Sequence, residues 1–194
     1  MRIFVAGATG VIGIRLVPLL VADGHAVAGM TRSPEKAETL RALGAEPVVC
    51  DVFDADALRD AVASFAPDAV IHQLTDLPTD ARRFPKHVAA HNRIRRDGTQ
   101  NLLAAAHAAG TVRRFLAQSV AWQLSGDGGA AVEELERAVL DRGGVVLRYG
   151  RLYGPGTYFE RDAPEPPRVH VDEAARRTVA ALAAPSGVLT IVER

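Results

Sequence analysis

Apolar residues along this chain follow two alternating rhythms. Short runs at 3–6, 26–30, 47–50, 69–72, 114–117, 145–147 and 188–192, apolar throughout but for His72, Arg114 and Thr190, have the length of strands. Being apolar at successive positions, they predict strands buried on both faces, as in a parallel sheet. Between them lie stretches in which apolar residues return every three or four positions, at 11–22, 34–43, 54–65, 91–109, 131–140 and 171–183. These predict amphipathic helices. Gly24, Gly44, Gly110 and the Gly143-Gly144 pair stand where helices should stop. Ser33 is the expected N-cap of the second helix, with Pro34 at its first position. Strand–helix alternation throughout predicts an α/β fold, a doubly wound parallel sheet with helices on both faces. One domain spanning 1–194 accounts for the whole pattern, and the proline-rich stretch 154–167 reads as a loop.

Composition adds exclusions. Hydrophobic residues make up 48% and charged residues 24% of the 194, ordinary for a globular domain. Lys+Arg and Asp+Glu both total 23, so no net charge draws the chain to nucleic acid or a membrane surface. The longest apolar stretch, 11–21, is broken by Arg15 and Pro18 and is too short to span a bilayer. The first strand starts at once, without the order of a signal peptide, and Cys50 stands alone. Both point to the cytoplasm. Only Lys36 and Lys86 are lysines. That arginine bias, with many alanines, suggests a high-GC bacterial genome.

The chemistry begins at MRIFVAGATGVIG, where Gly7, Gly10 and Gly13 join the first strand to the first helix. In such a turn the first glycine lets the chain bend sharply. The second lets backbone N–H groups approach a pyrophosphate, and the third lets helix and strand pack closely. Gly7, Ala8, Thr9, Gly10, Val11, Ile12 and Gly13 are therefore expected to cradle a dinucleotide. The spacing is G-x-x-G-x-x-G, not the common G-x-G-x-x-G. At the end of the second strand an NAD site often carries Asp or Glu for the ribose 2′-hydroxyl. Here stand Thr31, Arg32 and Ser33. Arg32 offers a guanidinium fork for a 2′-phosphate and its neighbours offer hydroxyls, which favours NADP, with NAD as the alternative. Asp51 and Val52 either bracket the adenine or, for Asp51, cap the next loop. Gln73, Leu74 and Thr75 end the fourth strand, where the middle of the cofactor would lie.

Five motifs in order carry a family resemblance. They are Val5–Gly13, Pro67–His72, Gly98–Leu103, Leu147–Gly156 and Val169–Ala175. Together they resemble the extended and atypical short-chain dehydrogenase/reductases, the NAD(P)-dependent epimerase/dehydratase group. The resemblance implies a Rossmann fold and an NADP-dependent oxidoreductase or epimerase/dehydratase relative, acting on a small carbonyl or sugar-like substrate. It also implies a homodimer through the fourth and fifth helices. That family's chemistry uses a tyrosine, a lysine four residues later, and a serine or threonine. No such pair exists here: Tyr149, Tyr153 and Tyr158 are followed at four residues by Tyr153, Thr157 and Asp162, and 126–140 holds neither tyrosine nor lysine. Two candidates remain. Ser119 is either the substrate-orienting hydroxyl or a structural serine at the strand end. Tyr149 flanks the nicotinamide side of the family pattern and offers a proton. Both also count among the expected cofactor contacts.

The segments 122–131 and 158–169 are much shorter than their family counterparts, so the substrate lobe is expected to be much reduced. The missing pair keeps a second reading open: a non-catalytic NADP(H)-binding module or redox sensor. His87 and His91, four apart, read as a solvated pair on a helix face, and no metal is expected. Arg93, Arg95 and Arg96 likewise read as a solvated face, and Glu133 is expected to pair with Arg137 along its helix.

Overall fold

Ile3, Phe4, Val5 and Ala6 are all fully buried. They lie on β1 (Arg2–Ala6), an interior strand of a seven-stranded parallel sheet. Alternate side chains leave a strand on opposite faces. Ile3 and Val5 therefore join one core layer, while Phe4 and Ala6 join the other. The computed structural model describes residues 1–78 and 80–193. The remaining elements are α1 (Gly13–Ala22), β2 (Ala26–Thr31), α2 (Ala37–Ala42), β3 (Glu46–Val49), α3 (Ala55–Phe65), β4 (Ala69–His72), α4 (Val88–Arg93), α5 (Thr99–Ala109), β5 (Arg114–Val120), α6 (Gly126–Leu140), β6 (Val145–Tyr149), β7 (Arg151–Tyr153), β8 (Arg168–His170), α7 (Val171–Ala180) and β9 (Gly187–Ile191). Strand order is β3-β2-β1-β4-β5-β6-β9. The chain runs outward from β1 to β3, then crosses back to β4 on the other side of β1. The crevice where ligands settle in such sheets therefore opens at the C-terminal ends of β1 and β4.

The expected doubly wound fold is present, with α1 and α7 packed on one face and α3, α5 and α6 on the other. Helix ends follow local chemistry. Asp54 Oδ1 accepts from Ala57 N at 3.1 Å and starts α3, and Gly110 at φ 68° stops α5. Ser33 occupies the predicted cap position, but its side chain makes no capping bond. Instead Thr31 Oγ1 accepts from Ser33 N at 3.2 Å, and a short 3-10 turn, Pro34–Lys36, precedes α2.

The structure departs from the apolar periodicity in three places. Helix α6 starts five residues earlier than its apolar period, at Gly126, because side chains from outside hold its glycine-rich first turns. Asp127 accepts from Asn92 Nδ2 at 2.8 Å and from Arg96 at 2.6 Å. The helix at 91–109 is two helices, α4 and α5, joined by a π turn over Ile94–Gly98. A pair of three-residue strands, β7 and β8, forms a second small parallel sheet. Each carries one inward apolar residue, Leu152 and Val169, too short a signal for periodicity. The proline-rich loop at 154–167 connects them. Among the described residues no helix is long and apolar enough to cross a membrane.

Candidate functional site

The turn after β1 has the features a phosphate cradle needs. Gly7 adopts φ +89°, and a Cβ there would sit 2.7 Å from the backbone of Gln73. At Gly13 a Cβ would lie 2.3 Å from Gly7 O and 2.6 Å from Ala8 C. Both glycines are required by the turn itself. Gly10 differs: a Cβ there would meet only Gly7 O, at 3.2 Å, and the residue is exposed. Gly10 N donates back to Gly7 O and Ile14 N to Gly10 O, both at 3.0 Å. The N–H groups of Val11 and Ile12 have no partner among the described residues. Free donors at the start of a helix are the chemistry an anion site needs, strengthened by the helix dipole. These residues fit a dinucleotide.

The end of β2 is where the adenosine is expected. Thr31 is buried, and its Oγ1 lies 3.2 Å from Thr9 Oγ1, tying the strand end to the glycine turn. Arg32 extends into solvent, its side chain 64% exposed, and donates to Asp76 Oδ1 at 2.8 Å. Asp51 Oδ1 accepts from Phe53 N at 3.0 Å, so this carboxylate caps the following turn. Val52 is buried, and its carbonyl accepts from Asn101 Nδ2 at 2.9 Å.

Past β4, Gln73 is buried, and its Nε2 donates to Tyr149 Oη at 2.9 Å. Leu74 O accepts from Gln118, and Thr75 is exposed. Behind them His72 is fully buried. Leu74 N donates to its Nδ1, so the ring proton sits on Nε2 and is given to Thr99 Oγ1 at 3.1 Å. Burial, then the nearby His91, pushes its pKa down to about 4. His91 is also pushed to about 4, by burial first and then by Arg95. The histidines at 87 and 91 are thus no solvated pair: His91 is buried and accepts from Asp76 N, while His87 Nδ1 lies 3.0 Å from Asp76 Oδ2. No group of three or more potential metal ligands occurs among the described residues.

The buried histidines 72 and 91 make a testable prediction. Their pKa values drop on folding from an ordinary 6.5 to about 4. Between those values the unfolded chain holds protons that the folded chain does not. Their contribution is complete above pH 6.5 and is lost as pH falls toward 4. Thermal midpoints recorded from about pH 7.5 to about 4.5 should therefore decline through that window. A level profile would contradict the assignment.

The expected catalytic candidates are engaged internally. Tyr149 is buried, accepting from Gln73 and donating to Thr178 Oγ1 at 2.6 Å, since Thr178 itself donates to Ala174 O. Burial pushes its pKa up to about 12. This geometry argues against the proton-donor role and makes Tyr149 a core residue at the end of β6. Ser119 is buried and donates to Glu136 Oε1 at 2.6 Å. Glu136 also receives Arg148 Nε at 2.8 Å and Arg148 Nη2 at 2.5 Å. Burial raises the Glu136 carboxyl, but hydrogen bonds from Arg148 and Ser119, with the Arg148 charge, outweigh it and hold it below the ordinary range.

The expected Glu133–Arg137 pair is not among the ion pairs of the described residues. The acidic helix instead pairs outward, Glu134 with Arg96 and Glu136 with Arg148. Nor is the arginine cluster simply solvated. Arg95 is buried, Arg96 bridges Asp127 and Glu134, and Arg93 lies 3.9 Å over the Phe53 ring.

One wall of the crevice was not legible in advance. Arg15 bonds Asp172 at 2.6 Å, Val11 O at 2.8 Å and Pro155 O at 2.6 Å, clamping the 154–156 loop and α7 onto the first turn of α1. Across the mouth Tyr158 donates to Pro78 O. A lone arginine in an amphipathic helix gives no sign of such partners.

A family model described as NAD(P)H-binding matches residues 7–144. The chain is 38% identical to a 3-diazoavenalumate denitrifying reductase from Streptomyces sp, covering 94% of this chain and 72% of that protein. That alignment spans 224 positions, more than this chain's own length, so the relative carries insertions absent here. A ketoreductase from Stigmatella aurantiaca, acting on a 4-hydroxy-2-methyl-3-oxo-4-farnesyl-3,4-dihydroquinoline-1-oxide, is 35% identical over 55% of this chain and 30% of its own length. The UDP-glucose 4-epimerase of Thermus thermophilus, solved with NAD, superposes with TM-score 0.78 at 20% identity, covering 99% of this chain and 78% of that one. The Thermotoga maritima epimerase, solved with UDP-glucose, gives 0.80 at 20% identity, covering 99% and 77%. At that identity the superpositions establish the Rossmann fold.

Proposed function

Because the chain belongs to the NAD(P)H-binding family and shares the Rossmann fold of the epimerases of the extended short-chain dehydrogenase/reductase type, we propose that it is an NADP(H)-dependent reductase of a small, polarised substrate. The observation that carries this reading is the joint presence of the free N–H groups of Val11 and Ile12 and of Arg32 just past β2. The first suits a pyrophosphate. The second suits a 2′-phosphate, for which a guanidinium fork is the natural partner. When bound, the cofactor supplies the hydride.

The protein's own residues bind and orient. Gly7 and Gly13 set the turn, Thr31 ties it to β2, and Gln73 and Leu74 border the crevice beyond β4. Two of the relatives are reductases by name, which favours reduction over epimerisation. With Tyr149 enclosed and Ser119 bonded to Glu136, no side chain among the described residues takes the place of the tyrosine–lysine pair. In this reading the proton that completes the reduction comes from water. The short segments 121–125 and 154–167 leave little protein to enclose a large substrate. The lone buried Cys50 suits a reducing cytoplasm.

The same internal bonds of Tyr149 and Ser119 favour a second reading, an NADP(H)-binding module or redox sensor. Incubation with NADPH and a panel of small aldehydes, ketones and quinones separates the two. The reductase reading expects loss of absorbance at the reduced nicotinamide band with at least one acceptor. Saturable binding with no turnover across the panel would overturn it in favour of the sensor.

A further inference from the structure

Arg32 follows β2 and Asp76 follows β4, while β1 lies between those strands. Their 2.8 Å ion pair therefore spans the C-terminal end of β1, directly beside the glycine turn. The partners are unequal. Asp76 is anchored: its side chain is only 14% exposed, Oδ2 accepts from His87 Nδ1 at 3.0 Å, and its backbone N donates to His91 Nδ1 at 3.2 Å. His91 is itself buried. Farther along the same segment, Pro78 O accepts from Tyr158. Arg32 has no second partner among the described residues and is largely solvated.

We propose that Asp76 is a specificity-determining residue that competes with the cofactor's 2′-phosphate for Arg32 and so limits how strongly NADP is favoured over NAD. This rests on the NADP reading above. A 2′-phosphate carries more charge than a carboxylate and takes the guanidinium in a bidentate fork, so it wins the competition. Arg32 is the partner that swings, because Asp76 is fixed from two sides. Binding of NADP gives up the Arg32–Asp76 pair and brings the phosphate near a fixed carboxylate. NAD has no group to draw Arg32 away and leaves the pair intact. Asp76 therefore weakens NADP selectively.

The effect is modest in size, because one partner is exposed and the pair is screened by solvent. Substituting Asp76→Asn should tighten NADP about three- to tenfold and leave NAD within about twofold. Asp76→Ser, which leaves a smaller neutral side chain, should do the same. In an Arg32→Ala background most of that gain should vanish, because the two substitutions act through one interaction.

Calorimetric titration with NADP, NAD, adenosine 2′,5′-bisphosphate and 5′-AMP reads this without any turnover. The proposal expects the gain for NADP and the bisphosphate only, in Asp76→Asn and Asp76→Ser alike. Wild-type protein that binds the bisphosphate no better than 5′-AMP overturns the NADP reading itself. Wild-type protein that prefers the bisphosphate, with Asp76 variants that do not tighten it, overturns the competition while leaving the NADP reading standing. Equal tightening of NAD and NADP also overturns the competition.

Discussion

Gly13→Ala should cost both the fold and the cofactor, whereas Gly10→Ala should cost the cofactor alone. A methyl at Gly13 would lie 2.3 Å from Gly7 O and 2.6 Å from the backbone of Ala8, where no flexible side chain can yield. The turn itself must shift, and forcing an extra carbon into packed structure costs about 1–3 kcal/mol. That shift displaces the N–H groups of Val11 and Ile12 from their aim. Charge-assisted hydrogen bonds contribute about 1.5–3 kcal/mol each, so losing one or both weakens nucleotide binding by ~10- to 1,000-fold or more. Gly10 tests the logic from the other side. Its methyl would meet only Gly7 O at 3.2 Å, in an exposed position, so the thermal midpoint should hold nearly level. Binding should still fall, because the middle glycine is the one that lets backbone approach a pyrophosphate. Paired melting curves and calorimetric titrations check this. Gly13→Ala with wild-type stability and wild-type affinity would refute the turn's role.

The second large effect is at Glu136. This buried carboxylate receives Ser119 and both Arg148 donors, joining α6 to the ends of β5 and β6. Ser119 and Arg148 are also register partners across those strands. Glu136→Ala leaves the buried serine hydroxyl and the Arg148 charge without their acceptor. Breaking a buried pair from one side costs about 3–5 kcal/mol. Arg148 is 43% exposed and can turn toward water, so the lower end applies, about 3 kcal/mol. For a chain of this size the melting temperature should drop by roughly 6–12 °C. Ser119→Ala removes one donor and leaves the Arg148 pair intact, so its cost should be near ~1 kcal/mol. If Glu136 instead served as an acid or base for chemistry, Glu136→Gln would abolish turnover while leaving the melting temperature near wild type. The network geometry predicts the reverse ordering, with stability the more sensitive quantity.

Much of this architecture could be read from the residues, and the reasons are specific. Ile3–Ala6 and Ala69–His72 are buried at every position because both faces of the sheet are covered, and such runs are hard to mistake. The glycine turn was legible because Gly7 and Gly13 belong to one compact strand–turn–helix unit whose spacing is visible in the residues themselves. What escaped depends on distant partners. Helix α6 outruns its apolar period because Asn92 and Arg96, far back in the chain, hold Asp127. His87 and His91 look like a surface pair until Asp76 is folded against them. Arg95 becomes buried, and Glu136 finds Arg148 rather than a neighbour on its own helix. Tyr149 carried a family motif, yet Gln73 and Thr178 close over its hydroxyl. Only the folded chain shows that closure.

In the proposed function the crevice at the ends of β1 and β4 holds NADP(H), with the 2′-phosphate read by Arg32. The most direct test is titration of wild-type protein into NADPH and into NADH, following nicotinamide fluorescence. Saturable binding of both, with NADPH bound at least about tenfold more tightly than NADH, is the predicted result. Tighter binding of NADH would contradict the role given to Arg32, and no binding of either would contradict the site itself.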